Sequence, residues 1–152
     1  MANTYTQIIV HIVFAVKDRQ SLISPHWKDN LYQYITGTIQ REGNKLLSIG
    51  GTNNHIHILI GIKPAQSLSD IVYKVKKHST EWINSQKLCI GRFGWQSGFG
   101  AFSYSKSLIP IIIDYIEKQE EHHRKKTFRE EYLQLLRKTD INFEEDYVFY
   151  EP

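Results

Sequence analysis

"NKLLSIGGTNNHIHILIGI", residues 44–62, sets two apolar runs on either side of a break rich in glycine and asparagine. The break, residues 50–54, suits a hairpin, so the runs read as two paired strands. Side chains alternate along the second run: Ile56, Ile58, Ile60 and Ile62 point one way, His55, His57 and Leu59 the other. The isoleucines belong to a helix-covered core. Two imidazoles are left roughly 7 Å apart along the opposite face.

Upstream, "TYTQIIVHIVFAVKDR" (4–19) is apolar on both alternating sets, as in a strand buried on both faces. "SPHWKDNLYQYITGTIQREG" (24–43) predicts a helix with Ser24 as N-cap, Pro25 at its first position and Gly43 at its end. Downstream, Ser67 and Asp70 resemble a capping box. It precedes Leu68, Ile71, Val72, Val75, His78 and Trp82, which keep helical spacing towards Asn84. "GRFGWQSGFGAFSYSK" (91–106) ends in strand-like alternation. A helix over 107–125 follows, with Pro110 in the first turn, where it is tolerated. Thr127 and Glu130 then cap a last helix, "FREEYLQLLRK" (128–138).

This order predicts an α+β fold: a ferredoxin-like βαββαβ sandwich with an antiparallel sheet, followed by a C-terminal tyrosine-bearing helix and a last short helix. The first two helices cover one sheet face. The other face is apolar too, and needs the third helix, a partner subunit or both.

The 152 residues fit one domain, 1–152, large enough for a single core. With 41% hydrophobic and 23% charged residues the composition is of the soluble globular type, without repeats or low-complexity tracts. Residues 1–7 are polar and unlike a signal peptide, and no apolar stretch reaches the length of a bilayer span. A cytoplasmic protein with no membrane partner is expected. A lone cysteine, Cys89, excludes an internal disulfide and a cysteine-rich zinc site, and reads as small apolar filler. A net charge of +3 points only weakly to nucleic acid. The basic residues nonetheless cluster, as Lys74, Lys76 and Lys77 and as Arg124, Lys125 and Lys126, while the C-terminus is acidic. Such runs are usually solvated faces.

On its own, His55-x-His57 is met more readily as a hydrogen-bonded pair on a half-exposed strand than as a metal site. The discriminating stretch is "SLIPIIIDYIEKQEEHHRKK" (107–126). There the stripe Leu108, Ile112, Tyr115 or Ile116 demands an apolar residue at 119, and the sequence has glutamine. Tyr115 and Gln119 lie one turn apart on one face. A half-buried tyrosine bonded to a glutamine would account for that pair alone. Together, however, two imidazoles and a glutamine oxygen can hold a metal with open positions beside a phenol. The set suits phosphoryl transfer, in which the metal polarises the phosphate and tyrosine attacks phosphorus to form a phosphotyrosine ester. The ester conserves bond energy, so a cut strand can be rejoined.

These residues resemble the single-tyrosine HUH transposases of the IS200/IS605 group, also called Y1 or TnpA-type. "HIVFAVKDR" (11–19) resembles the family's first strand and "NNHIHILI" (53–60) its His-hydrophobe-His motif. "SLSDIVYKVKKHSTEWI" (67–83) resembles its second helix, and "YIEKQEEHH" (115–123) its Tyr-x-x-x-Gln helix. Asn54 departs from the aspartate that relatives often carry before the first histidine, which touches support of the ligands rather than the ligands themselves.

The resemblance implies Tyr115 as nucleophile and His55, His57 and Gln119 as ligands of Mg2+ or Mn2+. It further implies a homodimer that cleaves and rejoins single-stranded DNA at hairpins marking transposon ends, through a 5'-phosphotyrosine. In several members the tyrosine helix of one subunit serves the histidines of the other. Lys74, Lys76, Lys77, Arg124, Lys125 and Lys126, with Trp95, Phe99 and Tyr104, would then hold phosphates and stack on bases, although core packing is the simpler role for each aromatic. Two alternatives are a rolling-circle replication initiator or relaxase-like nickase, and a non-mobile (domesticated) hairpin DNA-binding protein. Of the other histidines, His11 is expected on the His55/His57 face, His122 and His123 at a helix C-terminus, and His26 and His78 in structural roles.

Overall fold

The computed structural model describes residues 3–152. Strands β1 (Ile9–Ala15), β2 (Lys45–Gly51), β3 (His55–Gly61) and β4 (Gly100–Ser103) form one sheet in the order β2-β3-β1-β4, every neighbouring pair antiparallel. Helix α1 (Lys28–Arg41) joins β1 to β2 and α2 (Leu68–Ser85) joins β3 to β4, each crossing over one strand. That is the ferredoxin-like βαββαβ arrangement expected from the sequence. Helices α3 (Ile109–Glu117), α4 (Gln119–His122) and α5 (Phe128–Lys138) follow.

The alternation in β3 divides the molecule into two layers of packing. On one side Ile56, Ile58 and Ile60, with Ile12 and Phe14 of β1, meet Leu31, Ile35 and Ile39 of α1 and Ile71, Val72 and Val75 of α2. All are buried, and each such side chain contributes about 1.5–3 kcal/mol on burial. On the other side Leu59 meets Ile109 and Ile116, flanked by Ile9, Leu47, Ile112 and Tyr115. The second face is therefore covered by α3 of the same chain.

Helix α3 seats closely because of Gly50. A bulge between Leu46 and Ser48 resets the β2 register so that Gly50 pairs with His57. A Cβ at Gly50 would collide with the carbonyl oxygen of Ile116. The missing side chain thus lets the tyrosine-bearing helix lie on the strand next to the histidines.

Two helix boundaries differ from the sequence pattern. Ser24 heads a turn instead of capping α1: its Oγ accepts the His26 N–H at 3.2 Å, and its carbonyl accepts the Trp27 and Lys28 N–H groups at 3.2 and 3.0 Å. The helix proper starts at Lys28. The single helix expected over 107–125 starts at Ile109, keeps Pro110 in its first turn, and breaks at Lys118 (φ −103°, ψ 26°). Lys118 still donates to the Asp114 carbonyl at 3.1 Å, and beyond the break Gln119 is buried rather than solvated. The caps at Ser67 and Thr127 accept the N–H groups of Asp70 and Glu130 at 3.4 and 3.2 Å. Each such cap contributes about 1 kcal/mol.

Trp95 packs edge-on against Phe14 at 4.7 Å and donates its indole N–H to Ser79 Oγ at 3.0 Å, a structural placement. Cys89 is partly buried against the core, and burial pushes its thiol up. No helix among the described residues is long and apolar enough to cross a membrane.

Candidate active site

His55 and His57 stand on the α3-facing side of β3, both without solvent exposure. Hydrogen bonds on their inner nitrogens fix both rings. His55 Nδ1–H donates to Asn54 Oδ1 at 2.7 Å, with Thr52 Oγ1 at 3.0 Å, and Phe128 stacks on the ring at 4.3 Å. Asn54 therefore supplies an acceptor oxygen to His55 with its amide. His57 Nδ1 lies 2.7 Å from His11 Nε2, and His11 Nδ1 lies 3.0 Å from the Tyr104 hydroxyl. His11 shares the face because it sits diagonally from His57 across the β1–β3 ladder.

Both Nε2 atoms are left to point at one spot under α3, α4 and α5. Glu131 Oε1, on α5, lies 3.0 Å from His57 Nε2 and 3.6 Å from His55 Nε2. Gln119 Oε1 lies 2.9 Å from His55 Nε2. The other carboxylate oxygen, Glu131 Oε2, accepts from the Tyr115 hydroxyl and, at 3.1 Å, from Gln119 Nε2. His123 closes the ring, its Nε2 at 3.1 Å from Gln119 Oε1 and 3.2 Å from Glu131 Oε1. The structure thus brings His55, His57, Tyr115 and Gln119 together in one chain.

Burial sets the charge states. It lowers His11 and His55 to about 3, with His57 adding to the effect, so both imidazoles are neutral. Burial also opposes ionisation of Glu131, but His57 and the hydrogen bond from His123 outweigh it and hold the carboxyl well below its ordinary range. For His123 burial is likewise overcome, by the hydrogen bond to Glu131 and its charge, and the imidazole is raised. Burial and then the Glu131 charge push the Tyr115 phenol above its ordinary range, so its hydroxyl keeps the proton.

The donor set fits a divalent ion. His55, His57 and Glu131 offer ligand atoms within 4.8 Å of one another, all buried. Ligands about 2.1 Å from one ion are roughly 3–3.5 Å apart in octahedral or tetrahedral geometry. The observed separations of 2.9, 3.0 and 3.6 Å fall close to that span.

Sequence reasoning missed Glu131 and assigned His123 no part here. The signal for Glu131 is the one that singled out Gln119: Phe128, Tyr132 and Leu135 form an apolar stripe in which position 131 holds a carboxylate. His123 lies one turn beyond Gln119, on the same face.

The basic residues divide. Arg124, Lys125 and Lys126 line, with Thr52, Asn53 and Asn54, a cleft of about 630 Å³ beside His123 and Phe128. The α2 group lies on the far, isoleucine-side layer and is largely engaged. Lys74 pairs with Glu42 at 3.0 Å. Lys76 donates to the Gln96 and Gly98 carbonyls at 2.9 and 2.5 Å and sits 5.2 Å over the Phe14 ring. Only Lys77 of the three is exposed.

A ferredoxin-like sandwich that gathers two strand histidines, a helix-borne tyrosine and its downstream glutamine defines the class of the single-tyrosine transposases. The family described as "Transposase IS200 like" matches residues 4–119, and the chain belongs to it. The fold is also that of a chain from Deinococcus radiodurans R1 provisionally named a transposase. That likeness has a TM-score of 0.61 at 20% identity and covers 78% of this chain and 95% of that one. A second solved structure, a REP-associated tyrosine transposase bound to a REP hairpin, has a TM-score of 0.61 at 13% identity, covering 100% of this chain and 92% of that one. No curated protein matches the sequence. The family match ends at Gln119, so His123, α5 and Glu131 lie beyond it.

Proposed function

We propose that the protein is a metal-dependent transposase that cuts and rejoins single-stranded DNA at hairpin-marked transposon ends, with Tyr115 as nucleophile. The observation that carries this reading is the break at Lys118, which leaves Tyr115 on α3 and sets Gln119 against His55. His55, His57 and Gln119 would hold Mg2+ or Mn2+. When bound, the ion would polarise the scissile phosphate and ease departure of the leaving oxygen.

In the cutting step the Tyr115 oxygen bonds to phosphorus as the bond from phosphorus to the 3' oxygen breaks. The strand is left with a 5'-phosphotyrosine and a free 3'-hydroxyl, the phenol proton having passed to the departing oxygen. Attack by a 3'-hydroxyl on the ester reverses the step and restores Tyr115. Thr52, Asn54 and His11 hold the imidazoles in orientation.

The cleft lined by Arg124, Lys125 and Lys126 opens beside His123; its rim also carries Glu120, Glu130 and Glu151, so the three basic side chains are the groups there that would hold the phosphates of an unpaired strand. A hairpin is the DNA form held by the solved relative bound to a REP hairpin. A homodimer is supported by Ile8, Leu108 and Ile111, apolar yet exposed.

The test is to incubate labelled single-stranded hairpin oligonucleotides with the protein and Mg2+ or Mn2+ and look for a denaturation-resistant protein–DNA adduct. Wild type should form it and Tyr115→Phe should not. Equal adduct from Tyr115→Phe, or none from wild type with the element's own end sequence, would sink the mechanism.

A further inference from the structure

We propose that Glu131 is itself a ligand of the divalent ion through Oε1 while its Oε2 holds the Tyr115 hydroxyl, so that one carboxylate ties metal to nucleophile. The proposal rests on the strand-transfer reading and adds to it a residue that lies beyond the family match.

Three observations converge on Glu131. The first is geometry: Oε1 lies 3.0 and 3.6 Å from the two imidazole Nε2 atoms, the spacing of atoms that share an ion. Oε2 meanwhile accepts from Tyr115 and from Gln119, so the carboxylate faces both halves of the site at once.

The second is chemical hardness. Two imidazoles and an amide oxygen form a neutral set, and nitrogen-rich neutral sets favour zinc, nickel or copper. Mg2+ and Mn2+ prefer anionic oxygen. Glu131 converts the set to two histidines, an amide and a carboxylate, which suits the harder ions.

The third is the cost of the charge. Glu131 is 2% exposed, and a carboxylate taken that far from water needs positive charge nearby. Among the described residues its partners are the imidazoles of His55, His57 and His123, the Gln119 amide and the Tyr115 hydroxyl. A divalent ion at Oε1 supplies further compensation.

Mn2+ affinity of the full chain, followed by electron paramagnetic resonance of the free ion, tests this directly. Glu131→Gln keeps the shape and removes the charge. It should weaken Mn2+ binding at least about tenfold, whereas Glu130→Gln, at the exposed neighbour on the same helix, should bind as wild type does. Binding by Glu131→Gln within twofold of wild type overturns the proposal. Should Glu131→Gln fail to fold by circular dichroism, wild-type crystals soaked in Mn2+ decide. An anomalous peak bonded to the Glu131 carboxylate supports the proposal, and an ion on the histidines with Glu131 outside its ligand shell overturns it. Wild-type protein that binds Mn2+ through Glu131 yet makes no DNA adduct supports the ligand and removes the strand-transfer reading.

Discussion

His11 Nε2 lies 2.7 Å from His57 Nδ1, in a layer with no solvent exposure at either residue. For His57 to offer Nε2 to an ion, its proton must sit on Nδ1, and His11 Nε2 is the acceptor within reach. His11 then carries its own proton on Nδ1, facing the Tyr104 oxygen at 3.0 Å. The chain from Tyr104 through His11 sets the tautomer of His57.

That relationship predicts that His11→Phe, which keeps a flat ring and loses the acceptor, weakens Mn2+ binding by about 10- to 100-fold. His11→Gln, which places an amide oxygen near the lost nitrogen, should recover part of it. Calorimetric titration of both variants checks this, and unchanged affinity in His11→Phe would remove His11 from the support of His57.

Gly50 gives a second handle on the same architecture. An added methyl at Gly50 meets the Ile116 carbonyl, which is backbone and cannot rotate away. Gly50→Ala should therefore push α3 off β2 at a cost of about 1–3 kcal/mol, or roughly 2–4 °C in Tm for each kcal/mol. Because Tyr115 rides on that helix, adduct formation should fall more than stability does. Thermal unfolding and adduct yield on one preparation separate the two effects. A Tm equal to wild type would mean that α3 does not bear on Gly50.

These handles show where the sequence speaks and where it is silent. The isoleucine alternation of β3 announces its core face without help from the rest of the chain, since a strand has a period of two and a buried face tolerates little else. His55 and His57 follow from that alternation directly, whereas His11, on a strand apolar on both faces, is placed by the pairing of β1 with β3. Lys118 does not: its helix propensity is ordinary, and the break is a tertiary event that turns Gln119 onto His55. Ser24 and Pro25 carry every helix-start signal, yet a turn uses the Ser24 carbonyl first. Glu130 and Glu131 are neighbours of identical chemistry, one near solvent and the other buried. Only the apolar stripe of α5 tells them apart.

Acid stability should reflect the neutral imidazoles. In metal-free protein His11 and His55 titrate at about 3, far below 6.5 for the unfolded chain. Between those values the unfolded chain binds more protons, so stability is full above pH 6.5 and falls as the pH drops towards 3. At pH 4.5 the loss is about 2–3 kcal/mol for each histidine. Urea titrations at pH 7.5 and 4.5 on chelator-treated protein measure it, and His11→Phe should flatten the dependence. Equal stability at the two pH values would mean that these rings are charged in the folded state.

The two basic groups should differ in how they bind DNA. Arg124, Lys125 and Lys126 line the cleft beside His123, while Lys74 and Lys76 are held by Glu42 and by the Gln96 and Gly98 carbonyls. Removing a phosphate contact lowers the salt dependence of binding by about one contact's share, a slope change of roughly 0.7 for a single strand. Arg124→Ala and Lys125→Ala should each show that change and weaken a labelled hairpin oligonucleotide at every salt concentration. Lys76→Ala should instead lower Tm, because it strips two carbonyls and the Phe14 ring of their partner, and leave the slope alone. Fluorescence anisotropy over a range of salt concentrations reads both quantities. If Lys76→Ala moved the slope and Arg124→Ala did not, the DNA path would run over α2 and away from the cleft.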